Sequence, residues 1–438
     1  MSDCAFSAVR HNPIAAINVN MQTPRRGSTL LLLCAAYVAY LFRGWTWEEN
    51  AIHNVLNVIS PMHSINPVRG RTVEVQVAHL AKVTRTMEVL LGKAPRLLMR
   101  FAAGQDIAAA SFGPTATKLV QLEGGSSGGG SNEALHPLPS ITCACPRSAG
   151  AGDTLPLVLY FHSGGMVVGS VDAELHYARY IAHEASAVVC SVEYRKAPAY
   201  QLSDVLDDVM AASVALLEPA TGDDGGSESA TPTTFSSKTL GADLVRSLGI
   251  GGIDTSQVAT FGISAGGYLA GMVPRLLAAQ DREESSSLNL AASIRVQVSI
   301  VPMVRPLAGT PSMVKYFHAA PDWSGDYNTY AWSALLLGDT DGSQAFTWKS
   351  NMMVDLPHKE SMGALPPVYV VTAIRDVLRD EGRAYAEHLQ SAGRLIDHLE
   401  YNTNHGGVFP ELSRRGPADG ALFRAVQVLS SRLHDDLP

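Results

Sequence analysis

The chain has 438 residues, 46% hydrophobic and 17% charged, so it can bury a large core. Length alone allows two or three domains, although α/β folds run this long as one. A formal net charge of −8 with no sustained Lys/Arg block argues against nucleic acid as a partner.

Residues 1–115 carry no chemical motif. Within them Ser28–Phe42 (STLLLLCAAYVAYLF) is an uncharged fifteen-residue run bordered by Arg25, Arg26 and Arg43. A spanning helix needs about 20 apolar residues, so this run is short. It reads as a buried helix or as a membrane-associating segment, and a cleaved signal fits least because no convincing small-residue site precedes Phe42. Val73–Leu91 has apolar residues at helical spacing with Lys82, Arg85 and Glu88 between them, the pattern of an amphipathic helix. Gly124–Asn132 (GGSSGGGSN) marks a flexible insertion over 123–135, and a second polar insertion covers 221–237. Five cysteines, Cys4, Cys34, Cys143, Cys145 and Cys190, are odd in number and scattered. Cys143-Ala144-Cys145 lies in a strand-like stretch with the wrong spacing for a zinc knuckle or a C-x-x-C motif. Reduced thiols facing a cytosol are the expectation, and the absence of any N-x-S/T sequon agrees.

Leu155–Phe161 (LPLVLYF) is a continuous apolar strand, followed at once by His162-Ser163-Gly164-Gly165-Met166. Glycines after a strand let the backbone aim N–H groups at a substrate. Gly164 and Gly165 are candidate oxyanion donors, with the amide of Ala265 as a third. His162 reads as a brace for that loop. Further on, Val258–Phe261 is strand-like and Gly267–Met272 helix-like. Between them stands Gly262-Ile263-Ser264-Ala265-Gly266, a G-x-S-x-G. The serine of such a motif sits on a sharp strand-to-helix turn with its hydroxyl presented, and glycines flank it where a Cβ would collide. Ser264 is therefore the candidate nucleophile.

A nucleophilic serine needs a general base, and the base needs a carboxylate to hold its tautomer. Gln297–Val304 reads as another core strand, and 305–360 as irregular with an aromatic cluster of Tyr316, Trp323, Tyr327, Tyr330 and Trp332. That cluster suits a lid, a core or a pocket wall. Pro367–Ala373 is a buried strand, and Asp376 follows it by three residues. Asp380 and Glu381 open the helix Asp380–Ala392, where acidic residues meet the helix dipole, so they read as capping groups. Arg394–Tyr401 is again strand-like and leads into Asn402-Thr403-Asn404-His405-Gly406-Gly407. His388 falls in a helix, His398 in a strand and His434 near the end. His405 alone occupies a loop at a strand's carboxyl end. Ser264, Asp376 and His405 thus form the candidate catalytic set.

With these motifs in order the chain resembles the hormone-sensitive-lipase group of α/β-hydrolases over about residues 150–438. That group carries H-G-G-G, Y-R-L-A-P-E followed by L-D-D, G-D-S-A-G-G and D-P-L-R-D-E-G. Here they stand as His162–Gly165, Tyr194-Arg195-Lys196-Ala197-Pro198-Ala199, Leu206-Asp207-Asp208, Gly262–Gly267 and Asp376–Gly382. The resemblance implies an α/β-hydrolase fold over 116–438, a mostly parallel sheet with helices on both faces, and an N-terminal helical cap over 1–115. It also implies that part of the aromatic stretch lines an acyl pocket. Three departures stand out: Ser163 for the first glycine, Ile263 for an aspartate and Ala199 for a glutamate. A serine at 163 would be strained if its φ were positive. Loss of two charges bears on pH optimum and rate more than on mechanism.

The activity implied is that of a serine carboxylesterase or lipase on small to medium acyl esters or lipids, needing neither metal nor cofactor. An amidase or peptidase is a lesser variant. The alternative is a small-ligand receptor on the same scaffold, since the family includes members that lost the histidine. His405 is present, which favours the enzyme. The expected location is cytoplasmic, or membrane-associated through 28–42.

Overall fold

The computed structural model describes residues 117–122, 138–217, 240–283, 290–304, 309–317, 323–336, 365–408 and 420–434. In it the apolar runs become eight strands of one sheet, ordered β1-β2-β4-β3-β5-β6-β7-β8. These are β1 (Thr117–Leu122), β2 (Ser140–Pro146), β3 (Thr154–Phe161) and β4 (Val188–Glu193). They continue as β5 (Gly252–Ile263), β6 (Ile294–Ile300), β7 (Val368–Ala373) and β8 (Leu395–Tyr401). β1 and β2, and β2 and β4, pair antiparallel, and every other neighbouring pair is parallel. The central strands are apolar without alternation because both of their faces are covered.

Helices α1 (Val171–Glu184) and α8 (Ala421–His434) cover one face. Their Tyr177, Ile181, Leu422 and Leu429 pack with Val158, Tyr160, Phe261 and Val298 of the sheet. Helices α2 (Leu202–Leu217), α3 (Leu240–Leu248) and α4 (Ala265–Glu283) contribute to the other core, with Leu157, Leu159 and Phe161 from β3. Alternate residues of β3 therefore enter opposite cores. Two helices, α5 (Pro311–Tyr316) and α6 (Gly325–Leu335), interrupt the stretch read from sequence as irregular. Each starts on a hydroxyl cap: Thr310 accepts from the amide of Met313, and Ser324 from that of Tyr327. Helix α7 (Arg379–Ser391) covers Val368 and Val370 with Tyr385 and Leu389.

Two further expectations change. β6 ends at Ile300, not Val304, because Val301 takes a φ of 41° and Pro302 follows, turning the chain out of the sheet. Cys143 and Cys190 are not free thiols. They face each other in the β2–β4 ladder, with Cα atoms 4.1 Å apart, and form a disulfide. The antiparallel register brings together two residues separated by 47 positions. Cys145 stays free and buried, and burial pushes its thiol pKa up. The segments 28–42 and 73–91, the proposed cap over 1–115 and the insertions 123–135 and 221–237 lie outside the described residues. Among the described residues no helix is long and apolar enough to cross a membrane.

Candidate active site

β5 runs into α4 through Ser264, the one residue between them, at a φ of 59°. Left-handed backbone at a serine costs energy, and it is held here from both sides. The Ser264 amide donates to the carbonyl of Ile300 at 2.8 Å, and its carbonyl accepts from Met303 at 3.2 Å. The flanking glycines are sterically required. A Cβ on Gly262 would lie 2.0 Å from the carbonyl oxygen of Gly266, and one on Gly266 would lie 1.9 Å from that of Phe161. Ile263, standing where the family has aspartate, is buried in the α1–α8 core.

His405 reaches Ser264 from the loop after β8. Its Nε2 is 2.9 Å from Ser264 Oγ and its Nδ1 is 2.7 Å from Asp376 Oδ2. A carboxylate only accepts, so Nδ1 carries the proton and Nε2 is left to accept from the serine hydroxyl. The other oxygen of Asp376 accepts from the amide of Leu378 at 3.0 Å. Relative exposure is 1% for Ser264, 0% for Asp376 and 5% for His405, so little water screens the three. The histidine loop is pinned by Asn404 Oδ1, which accepts from Gly407 at 3.0 Å, and by Arg375, whose amide donates to Thr403 at 2.9 Å.

The neighbouring carboxylates and histidines go elsewhere. Asp380 accepts from the amide of Ser312 at 2.7 Å and pairs with Arg379, tying α5 to the start of α7. Glu381 is buried and accepts from the amide of Val304 at 2.8 Å. Both lie in the first turn of α7, where the helix dipole favours a carboxylate, but no side chain caps that helix at its Leu378 start, and each carboxylate instead anchors a distant loop. His398 is on β8 with its Nε2 2.8 Å from Thr372 Oγ1, and His388 is on α7.

The glycine turn follows β3. Gly164 and Gly165 have φ of 112° and 65°, and a Cβ on Gly164 would lie 2.2 Å from the carbonyl oxygen of Val168. The Gly164 carbonyl accepts from Val167 and Val168, while the amides of Gly164 and Gly165 donate to no described residue. Ser163 does not take a positive φ, so the strain anticipated there is absent. Its amide donates to Glu174 Oε1 at 3.0 Å, and its hydroxyl donates to the same oxygen. Glu174, in the first turn of α1, also accepts from Tyr160 Oη at 2.6 Å. Burial raises the Glu174 pKa against the opposing effect of these hydrogen bonds. His162 stacks on Tyr194 with centroids 4.1 Å apart, and its Nδ1 lies 2.7 Å from the Ser163 carbonyl. Burial, helped by the Lys196 charge, lowers its pKa to about 4 against the pull of Glu193, so the ring is neutral near pH 7.

The Tyr194–Ala199 segment is bolted to α2 through Arg195. Its Nε donates to Asp208 at 2.9 Å, and its Nη1 pairs with Asp204 at 3.2 Å. Ala197 in turn donates to the carbonyl of Met166, which ties this segment to the glycine turn. Of the aromatic cluster, Trp323 lies beside the site, its ring 5.8 Å from that of His405. Trp332 packs edge-on against Tyr268 of α4 at 5.5 Å. Neither Glu174 nor the particular position of Trp323 was singled out by sequence, because no motif connects them to the turn or to His405. Among the described residues no group of three or more His, Cys, Asp or Glu side chains could hold a metal ion.

This sheet order, with a serine on the β5–α4 elbow facing a loop histidine, defines an α/β-hydrolase architecture. A model of the alpha/beta hydrolase fold family matches residues 158–408, and the chain belongs to that family, in its hormone-sensitive-lipase-like group. It is 28% identical over 252 residues to Lipase 2 of Moraxella sp. (strain TA144), covering 54% of this chain and 50% of that one. It is 29% identical over 248 residues to an arylesterase of Saccharolobus solfataricus, covering 57% and 66% respectively. The chain thus spans half of the first relative and less than two thirds of the second. The solved structure of a hyperthermophilic esterase from the archaeon Pyrobaculum calidifontis aligns with a TM-score of 0.53 at 25% identity, covering 82% of this chain and 97% of that one.

Proposed function

We propose that this protein is a serine carboxylic-ester hydrolase acting on small to medium acyl esters or lipids. The observation that carries the reading is the relay from Asp376 Oδ2 to His405 Nδ1 at 2.7 Å and from His405 Nε2 to Ser264 Oγ at 2.9 Å. Support also comes from relatives named as a lipase and an arylesterase. An intact histidine at the nucleophile favours hydrolysis over ligand binding alone.

In the first half-reaction Ser264 Oγ attacks the ester carbonyl carbon while His405 Nε2 takes its proton. The carbonyl π pair moves onto oxygen, and the amides of Gly164, Gly165 and Ala265 receive that oxyanion. Asp376 keeps the imidazole in its productive tautomer and stabilises the imidazolium. Collapse expels the alcohol, which receives the proton from Nε2 and leaves Ser264 acylated. A water then repeats the sequence: His405 removes its proton, the acyl–Oγ bond breaks, and the proton returns to Ser264 as the acid departs. Asp376 is not protonated at any stage.

The buried aromatic side chains Trp323, Tyr330 and Trp332 are proposed to bound the acyl pocket, with Trp323 the one beside His405. Hydrolysis of p-nitrophenyl esters of increasing chain length tests the reading. A fluorophosphonate probe should label wild type at Ser264. Ser264→Ala should lose both labelling and turnover, the latter by on the order of 10⁶. Ester hydrolysis by Ser264→Ala at the wild-type rate would refute the assignment.

A further inference from the structure

Glu174 is a buried carboxyl group outside the serine–histidine–aspartate relay, with each of its oxygens engaged. Oε1 accepts from both the amide and the hydroxyl of Ser163, and Oε2 accepts from the phenol of Tyr160. Burying a carboxyl group costs free energy, which hydrogen bonds offset only in part, and an apolar side chain of similar volume would pack there without that cost. What the carboxyl group adds is geometry. Ser163 directly precedes Gly164 and Gly165, which stand at φ of 112° and 65° and have no side chains of their own to fix the turn.

We infer that Glu174 is a positioning residue for the reaction: by holding Ser163 at two points it fixes the turn whose next two amides receive the oxyanion. Three connections make the link rigid. Glu174 sits in the first turn of α1, whose N-terminus is capped by Ser170 accepting from Ala173 at 3.2 Å. Tyr160 lies on β3 one residue before the strand's end, so the same carboxyl group joins strand, turn and helix. On the far side of the turn, the Gly164 carbonyl is clamped by the amides of Val167 and Val168. Ser163 therefore has a purpose that glycine could not serve, since glycine has no hydroxyl to donate to Glu174. The serine that departs from the family's H-G-G-G and the carboxyl group that receives it form one unit.

The inference rests on the ester-hydrolase reading, and the test separates the two. Wild type, Glu174→Leu, Glu174→Gln and Ser163→Ala are compared for p-nitrophenyl ester kinetics, for inhibition by phenylboronic acid and for Tm. An oxyanion donor acts mainly in the transition state, so its misplacement lowers kcat and leaves KM largely unchanged. Glu174→Leu should lose about 10- to 100-fold in kcat with KM within about threefold. Phenylboronic acid, which forms a tetrahedral adduct on the serine, should weaken in the same proportion. Glu174→Gln keeps an acceptor for Ser163 and should recover to within about threefold of wild type. A folded Glu174→Leu enzyme with wild-type kcat, or one changed in Tm alone, overturns the inference. Should Glu174→Leu not fold, Ser163→Ala decides. It loses one of the two contacts, and a fall of about three- to tenfold in kcat is expected, whereas a value within twofold of wild type overturns the proposal. Failure of wild type itself to hydrolyse esters would sink the functional reading, and this inference with it.

Discussion

Trp323 lies against His405, with ring centroids 5.8 Å apart and 29° between their planes. The same indole also lies against Gly165 of the glycine turn. Its Cη2 stands 2.3 Å from where a side chain on Gly165 would begin. One ring thus borders both the glycine turn and the histidine. It limits the rotations open to His405, and any side chain at 165 would drive it out.

Trp323→Leu is therefore expected to move substrate preference toward longer acyl chains. Each added methylene accommodated in an apolar pocket changes discrimination by about 1–3 kcal/mol. The measured quantity is kcat/KM across the p-nitrophenyl series from acetate upward. An unchanged chain-length optimum in a folded variant would show that Trp323 packs the core without shaping the pocket.

Asp376→Asn should keep the fold and lower kcat by about 10⁴, because an amide can favour the wrong histidine tautomer. Asp380→Asn should change kcat less than about tenfold, since Asp380 is bound to Ser312 and Arg379 rather than to His405. Steady-state kinetics on both variants gives the ranking, and the reverse order would mean that the carboxylate was wrongly chosen.

His162 links stability to pH. Its folded pKa of about 4 lies below the ordinary value of 6.5. Between those values the unfolded chain binds the proton and the folded protein does not. Stability from this group is therefore fully present above pH 6.5 and declines as pH falls toward 4, by on the order of 3 kcal/mol. Tm recorded from pH 7 to pH 4 should fall less steeply in His162→Gln than in wild type. Parallel slopes would count against a buried neutral imidazole at this position.

The run Ser28–Phe42, outside the described residues, is proposed to be either a buried cap helix or a membrane-associating segment with arginines at its borders. An anchor would make full-length protein pellet with membranes after a carbonate wash, and deletion of residues 1–43 would release it. A full-length protein that never pellets would rule the anchor out. Loss of activity on the same deletion would instead indicate a cap over the site.

What the sequence determined by itself is the part of the site ruled by local sterics and chain order. Gly262 could be read as obligatory beside Ser264, because a Cβ there meets the carbonyl of Gly266 within the same turn at about 2 Å, whereas the demand for glycine at 266 comes from the remote carbonyl of Phe161 on β3. Apolar runs without alternation announced the central parallel strands. Asp376 and His405 could be picked out because each stands on a loop a few residues past a strand's end, and His405 meets both Asp376 and Ser264. The tertiary structure alone decided features that depend on register and on contacts between remote segments. Cys143 and Cys190 meet because β2 runs antiparallel to β4 at one particular register, and a slip of one residue would turn them to opposite faces. β6 stops at Ile300 because Val301 turns to a φ of 41°, in a stretch where Ile300 and Met303 bond the backbone of Ser264. Glu174 reads from sequence as one more acidic residue near a helix start, and its grip on Ser163 appears only when α1 folds back over the end of β3. Trp323 likewise belongs to an aromatic cluster until chain closure sets it against His405. Local geometry is written in neighbouring residues, whereas side-chain encounters across the sheet depend on how every intervening element packs.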